Sequence, residues 1–348
     1  MAYTSLTQAK NKLINSIDFL RDILPGVGLV TLIGFLANSI GREFPLIGGA
    51  VFSIIIGLLV RNFLVVPFTF NRGIDYTLKK LLKVAIILLG FGFSFTSFVS
   101  MGFSFFLITL LSVVIGIFFT FFIARLAGLQ GNIPLLVGLG TGICGATAIA
   151  TTAPIVRAKE EEMAYAINTI FLFNIVAVLV YPLIGRLIEL SDLQLGVWVG
   201  AAIHDTSSVV AAGYAYSHEA GDTSVAIKLI RTLALVPVAV ILSFYLSYQA
   251  RKSSTIIQEK VNISKIFPYF ILAFVGAAMI NTLFLLPVSF VETTTSVAKF
   301  LIVMVMASVG LGTDVKKIKS IGIRPLLVGF ISSVILGLVS LTLIYLLL

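Results

Sequence analysis

The chain has 348 residues, 59% of them hydrophobic and only 11% charged, with a mean hydropathy of +1.11 and a formal net charge of +9. Soluble domains carry about 25% charge, so no globular surface could be solvated on this supply, and the aliphatic and aromatic content excludes disorder. A single cysteine, Cys144, excludes a disulfide scaffold, which leaves an all-α polytopic membrane protein.

Residues 1–21 place Leu13, Ile17 and Leu20 at helical spacing opposite Lys10, Lys12 and Asp18. This reads either as a short helix on the inner membrane face or as a frayed tail. The segment is too polar for a cleavable signal, and no small-residue cleavage site follows the first apolar run. Residues 22–348 read as one transmembrane domain. A bilayer core about 30 Å thick needs about 20 apolar residues in a helix. Eleven such runs lie near 22–40, 45–60, 80–98, 102–124, 133–156, 164–185, 194–216, 224–248, 267–287, 293–313 and 325–347. They are long and continuously apolar, as helices are, without the ten-residue alternation of barrel strands.

The charges orient these runs. Of the 24 Lys and Arg, 18 fall on the side of the N-terminus, among them Arg21, Arg61, Arg72, Lys79, Lys80, Lys83, Arg125, Arg186 and Arg324. Only Arg42, Arg157 and Lys159 fall on the other side. By the positive-inside rule the N-terminus is cytoplasmic, and an odd number of spans places the C-terminus outside. The basic residues are then collars suited to anionic lipid headgroups, and nucleic acid is excluded as a partner.

Polar groups in hydrocarbon cost about 2.5–3.5 kcal/mol or more when ionisable, so each calls for a reason. The fifth run contains Thr141, Gly142, Ile143, Cys144, Gly145, Ala146 and Thr147. Its glycines weaken a helix at mid-span and predict a discontinuous helix, the second half beginning near Cys144 or Gly145. The free N–H groups there would form an anion cradle. The competing reading is close packing through small residues, since Gly138 and Gly142 have Gly-xxx-Gly spacing. On the sixth run, Asn168 and Asn174 suit interhelical hydrogen bonds. The seventh carries His204, Asp205, Thr206, Ser207 and Ser208 at mid-membrane. Histidine titrates near neutrality and burial can move a carboxylate there, so the pair suits proton coupling, while the hydroxyls suit an oxyanion or a cation. On the eighth, Lys228 and Arg231 lie one turn apart. Lys228 is expected to snorkel outward, and Arg231 to need an anion or the acid Asp205. Lys299 on the tenth is expected to snorkel as well.

Shifting the chain by 220 residues aligns Gly90 with Gly310 and Gly92 with Gly312, in antiparallel spans. Shifting by 60 aligns Gly140 with Gly200 and Ile143 with Ile203, in parallel ones. Enzyme chemistry finds little support. Adjacent His204 and Asp205 point about 100° apart on a helix, and there is no Gly-x-Ser-x-Gly elbow. Two histidines without clustered acids make a metal centre unexpected, and no phosphate loop is present. A secondary carrier or channel remains, with no cofactor expected.

Gly142-Ile143-Cys144-Gly145-Ala146 and Pro154-Ile155-Val156-Arg157-Ala158 resemble the signature of the YeiH-like sulfate exporter family. So do His204-Asp205 leading to Val209-Val210-Ala211-Ala212-Gly213, Lys228-Leu229-Ile230-Arg231, residues 307–313 and residues 322–326. The resemblance runs from about residue 22 nearly to the end. Two departures are Asp205, where the family pattern has glutamate, and the hydroxyl-rich Thr206-Ser207-Ser208. The resemblance implies an inner-membrane exporter of sulfate or a related sulfur oxyanion or sulfonate. It also implies a fold like the sodium/proton antiporter and bile-acid symporter class, an inverted repeat with crossing discontinuous helices. By that analogy the fifth and tenth runs would cross. The expected substrate contacts are residues 141–147, Thr206, Ser207, Ser208 and Arg231, with His204 and Asp205 coupling protons. Expected partners are a small inorganic or organic anion, membrane lipids and a second copy in a homodimer. A carrier for an unrelated organic solute, or an intramembrane sensor or enzyme, is the alternative.

Overall fold

A computed structural model describes residues 2–44, 48–93, 102–252, 267–284, 286–314 and 323–348; the described residues are helical, with no strand among them. Six helices are each long and apolar enough to cross a membrane, from Asp18–Glu43 to Arg324–Leu347, and shorter apolar helices accompany them. The chain is a multi-pass membrane protein. Helices α1 (Ala2–Glu43) and α2 (Gly48–Phe63) answer to the first two runs. After the connection, α3 (Asn71–Tyr76), a π-helical turn (Thr77–Leu81) and α4 (Leu82–Gly90) lead into the third, the end of which lies outside the described residues. The fourth run is α5 (Gly102–Leu126) and the fifth is α6 (Ile133–Gly142) with α7 (Ala146–Thr152). The sixth is α8 (Glu160–Leu187) and the seventh is α9 (Asp192–Ala202) with α10 (Thr206–Tyr216). The eighth is α11 (His218–Leu233) with α12 (Leu235–Lys252). Helices α13 (Tyr269–Phe284), α14 (Val288–Gly312) and α15 (Ile323–Leu347) complete the chain.

Two compact units share these helices. The first comprises residues 1–86 and 295–315. Its helices approach through glycines. A Cβ on Gly57 of α2 would lie 2.6 Å from the Ala307 carbonyl oxygen of α14, and one on Gly310 would lie 2.3 Å from that of Ile54. Ser53 Oγ donates to the Val303 carbonyl (2.7 Å) across the same contact. Around it Val30, Ile33, Ile74, Met304, Ala307 and Leu311 form the core.

The second unit comprises residues 87–294 and 316–348. Its largest core packs Leu195, Val199 and Ile203 of α9 against Val209 and Ala212 of α10 and Ile227 of α11. Trp198 Nε1 donates to the Gly337 carbonyl of α15 (2.8 Å), so even the indole is satisfied inside the apolar core. Outward faces carry bare apolar side chains, such as Phe118, Phe122, Phe244 and Leu338, as a surface solvated by lipid does.

Candidate functional site

Among the described residues, the fifth and seventh runs leave the helical region at mid-length, whereas the eighth is only interrupted at Ala234, which stays in the helical region. In the fifth, α6 stops at Gly142; Ile143 leaves the helical region (φ −115°, ψ −91°), Gly145 takes φ 67°, ψ −134°, and α7 starts at Ala146. In the seventh, α9 stops at Ala202, Ile203 and Asp205 are extended, and α10 starts at Thr206. Corresponding landmarks are 60 residues apart, Gly142 with Ala202 and Ala146 with Thr206, so the 60-residue self-similarity is a repeat of structure. The tenth run, expected to be the second broken helix, is instead the continuous 25-residue α14. Its Gly310 serves packing against α2, and the second break lies in the seventh.

The fifth-run glycines both pack and break the helix, at different residues. Gly138 and Gly142 face α5, where added Cβ atoms would lie 2.8 Å from the Ile117 carbonyl and 2.3 Å from the Ile117 side chain. Gly145 makes the break, at a positive φ that glycine adopts without cost from a side chain. A Cβ there would also lie 3.4 Å from Asp205 Cα, so the two breaks meet.

A helix that ends inside a protein leaves its last carbonyls without partners and carries a partial negative charge. The ends of α6 and α9 find their donors on α11. Lys228 Nζ donates to the carbonyls of Ile143 (3.0 Å) and Ile203 (2.9 Å). Arg231 donates from Nε to Gly142 (2.8 Å), from Nη1 to Ala201 (2.6 Å) and Ile203 (3.0 Å), and from Nη2 to Thr141. Both side chains have 0% exposure. Two expectations are corrected here. Lys228 does not snorkel outward, and Arg231 faces backbone carbonyls instead of Asp205. The reason is that two helix C-termini already offer a guanidinium and an ammonium the negative field and acceptors they need.

The opposite side of the junction differs. Asp205 caps α10, its Oδ2 accepting from the Ser207 N–H (2.9 Å) and the Ser207 hydroxyl. The Asp205 N–H donates to Asn174 Oδ1 of α8 (3.1 Å). Thr141, Gly142, Ile143, Cys144, Gly145, His204, Ser207 and Ser208 are buried, whereas Ala146, Thr147, Asp205 and Thr206 keep part of their surface. The C-terminal ends are sealed; the N-terminal ends are open. His204 sits between: Nε2 is 2.9 Å from Ser333 Oγ of α15, and Nδ1 is buried without a hydrogen-bond partner among the described residues. An orphaned buried nitrogen is uncommon and marks a position that calls for a functional reason.

The structure brings the sequence-predicted residues 141–147 and 204–208 together, and adds Lys228 and Ser333, which the expected contacts leave out. The spacing of Lys228 and Arg231 on one helix face is a signal for the first, and the adjacent polar pair Ser332-Ser333 at mid-helix for the second. Among the described residues, no group of three His, Cys, Asp or Glu side chains comes together as a metal site.

Residues 25–329 match the family model described as Conserved hypothetical protein 698. A UPF0324 membrane protein of Clostridium tetani is 36% identical, over 90% of this chain and 92% of the relative. One from Fusobacterium nucleatum is 35% identical over 91% and 96%, and one from Streptococcus pyogenes serotype M18 is 37% identical over 91% and 95%. The chain belongs to this family of UPF0324 membrane proteins.

Proposed function

We propose that this UPF0324 family member is a secondary transporter of a small anion, with the meeting point of the two broken helices as its translocation site. The observation that carries the reading is the pair of helix breaks bound together by Lys228 and Arg231. Backbone opened at membrane depth is tolerated where it lines a cavity, and carriers place substrates at such half-helix ends. The partial charges of two C-terminal and two N-terminal ends cancel. Of the formal charges, Lys228 and Arg231 then outnumber Asp205 by one, and an anion restores neutrality.

Arg231 contributes charge in this scheme without touching the substrate. The contacts come from the open side: the hydroxyls of Thr147 and Thr206 and the N–H groups of the first turns, with Ser207 and Ser208 buried behind them. An anion arriving beside Asp205 is repelled until that carboxylate takes a proton, which couples the two movements. His204, next in the chain and buried beside the junction, is the proton's exchange partner. Sulfate and related sulfur oxyanions or sulfonates suit a site of hydroxyl and N–H donors, and transport requires no catalytic residue.

Uptake of labelled sulfate, sulfite, thiosulfate and a sulfonate into proteoliposomes tests the reading. Flux that depends on pH is expected, and His204→Ala should remove the dependence. Equal pH dependence in that variant would sink the coupling role. Binding by thermal shift with no flux of any anion would favour an intramembrane sensor, and flux of an uncharged organic solute alone would replace the anion.

A further inference from the structure

In the first unit, α1 and α3 cross at two glycines: a Cβ on Gly26 would lie 2.7 Å from Gly73 Cα, and one on Gly73 would lie 2.1 Å from the Ile23 carbonyl oxygen. Ile74 carries one face of α3 into the core with Val30, Ile33 and Met304. The other face and the stretch of α1 around Phe19, Asp22 and Ile23 line an open cavity of about 270 Å³. Arg72, Asp75, Tyr76, Lys79 and Lys80 line it from a single helical face, following i, i+3, i+4, i+7, i+8 spacing. Phe19 and Asp22 line it from α1.

Three features set this cavity apart from an ordinary charged surface. The two lysines lie on the π-helical turn, a rare local geometry that concentrates at functional sites. Arg72 pairs with Asp22 and Lys79 with Asp75, so among the lining residues Lys80 holds the surplus positive charge. Phe19 and Tyr76 pack edge to face at 5.8 Å beside the charges, the amphipathic arrangement found at the headgroup level of a bilayer. The connection leading into α3 is apolar and bare, with Phe63 80%, Val65 96% and Phe68 86% exposed. The distribution of basic residues puts this connection on the cytoplasmic side.

We propose that this cavity binds the headgroup of an anionic phospholipid of the inner leaflet, with Lys80 and Lys79 on the phosphodiester and the acyl chains alongside residues 63–68. A free phosphate would gain only screened contacts with exposed cations. A lipid adds apolar contact that the bare phenylalanines and valine need.

Native mass spectrometry of the full chain, released from nanodiscs of phosphatidylcholine with a fraction of phosphatidylglycerol, counts retained anionic lipid. The double variant Lys79→Gln/Lys80→Gln should lose about tenfold in retention relative to wild type, and Lys80→Gln alone about threefold. Arg125→Gln, elsewhere in the same cytoplasmic set of charges, should retain lipid like wild type, and inorganic phosphate should not displace the lipid. Undiminished retention in the double variant, an equal loss in Arg125→Gln, or displacement by phosphate would each overturn the proposal. The readout is binding, so it stands apart from any result on anion flux.

Discussion

The two breaks share a register and differ in what makes them. The fifth-run break is a backbone device: Gly145 turns the chain at positive φ, and no side chain caps α7. The seventh-run break is a side-chain device: Asp205 caps α10, Asn174 holds the Asp205 N–H, and His204 reaches Ser333. One break supplies shape, the other supplies an imidazole and a carboxylate, to which we assign the proton coupling. What they share is their first half, since α6 and α9 end on the same two cations of α11. A junction of this kind separates structure from chemistry, and substitutions should report the separation.

The largest effect is expected where the two breaks are joined. Arg231→Ala leaves the Thr141, Gly142 and Ala201 carbonyls without their donor, at about 1–3 kcal/mol for each buried acceptor. That sum is comparable to a typical total stability of about 5–15 kcal/mol. The variant should fail to elute as a monodisperse species in size-exclusion chromatography. Arg231→Lys keeps the charge but loses the planar fork, and should fold with a reduced melting temperature. A wild-type melting temperature for Arg231→Ala would mean that the breaks are held independently.

The next two variants set shape against chemistry. Gly145→Ala forces a side chain into a backbone region that costs about 1–3 kcal/mol, with Asp205 close behind it. Its melting temperature should fall, and its flux should fall while keeping the wild-type pH profile. Asp205→Asn retains an N-cap oxygen and so much of the capping interaction, whose complete loss costs about 0.5–2 kcal/mol. Its stability should change little while the pH dependence of flux disappears. If the glycine variant lost the pH dependence and the aspartate variant kept it, the assignment of roles would be reversed.

The sequence makes the eleven runs legible because a bilayer imposes a length and an apolar content on each one. It makes the site's neighbourhood legible because polar residues at mid-span are expensive, which singles out residues 141–147 and 204–208. It does not show which helix completes the junction. Glycines in the tenth run look like those in the fifth, but Gly310 packs against Ile54 while Gly145 bends the chain. Residue type alone cannot tell close approach from positive φ. Nor does it show where Lys228 and Arg231 point, since their partners are backbone carbonyls, present at every residue and carrying no signature in the sequence.

The smallest effect tests the chemical break at its edge. Ser333 is the described partner of His204 Nε2 (2.9 Å), and it comes from a helix 129 residues away in the chain. Ser333→Ala should cost about 1 kcal/mol, the net worth of one neutral hydrogen bond, and move the melting temperature by no more than a few degrees. The imidazole would then lose the side-chain partner it has among the described residues, and its orientation beside Asp205 would loosen. The pH profile of flux should therefore shift or broaden while the maximal rate is kept. A profile identical to wild type would show that the imidazole is oriented by its neighbours in the α9–α10 connection alone. The chemistry of the seventh-run break would then be contained in that connection, as the geometry of the fifth is contained in Gly145.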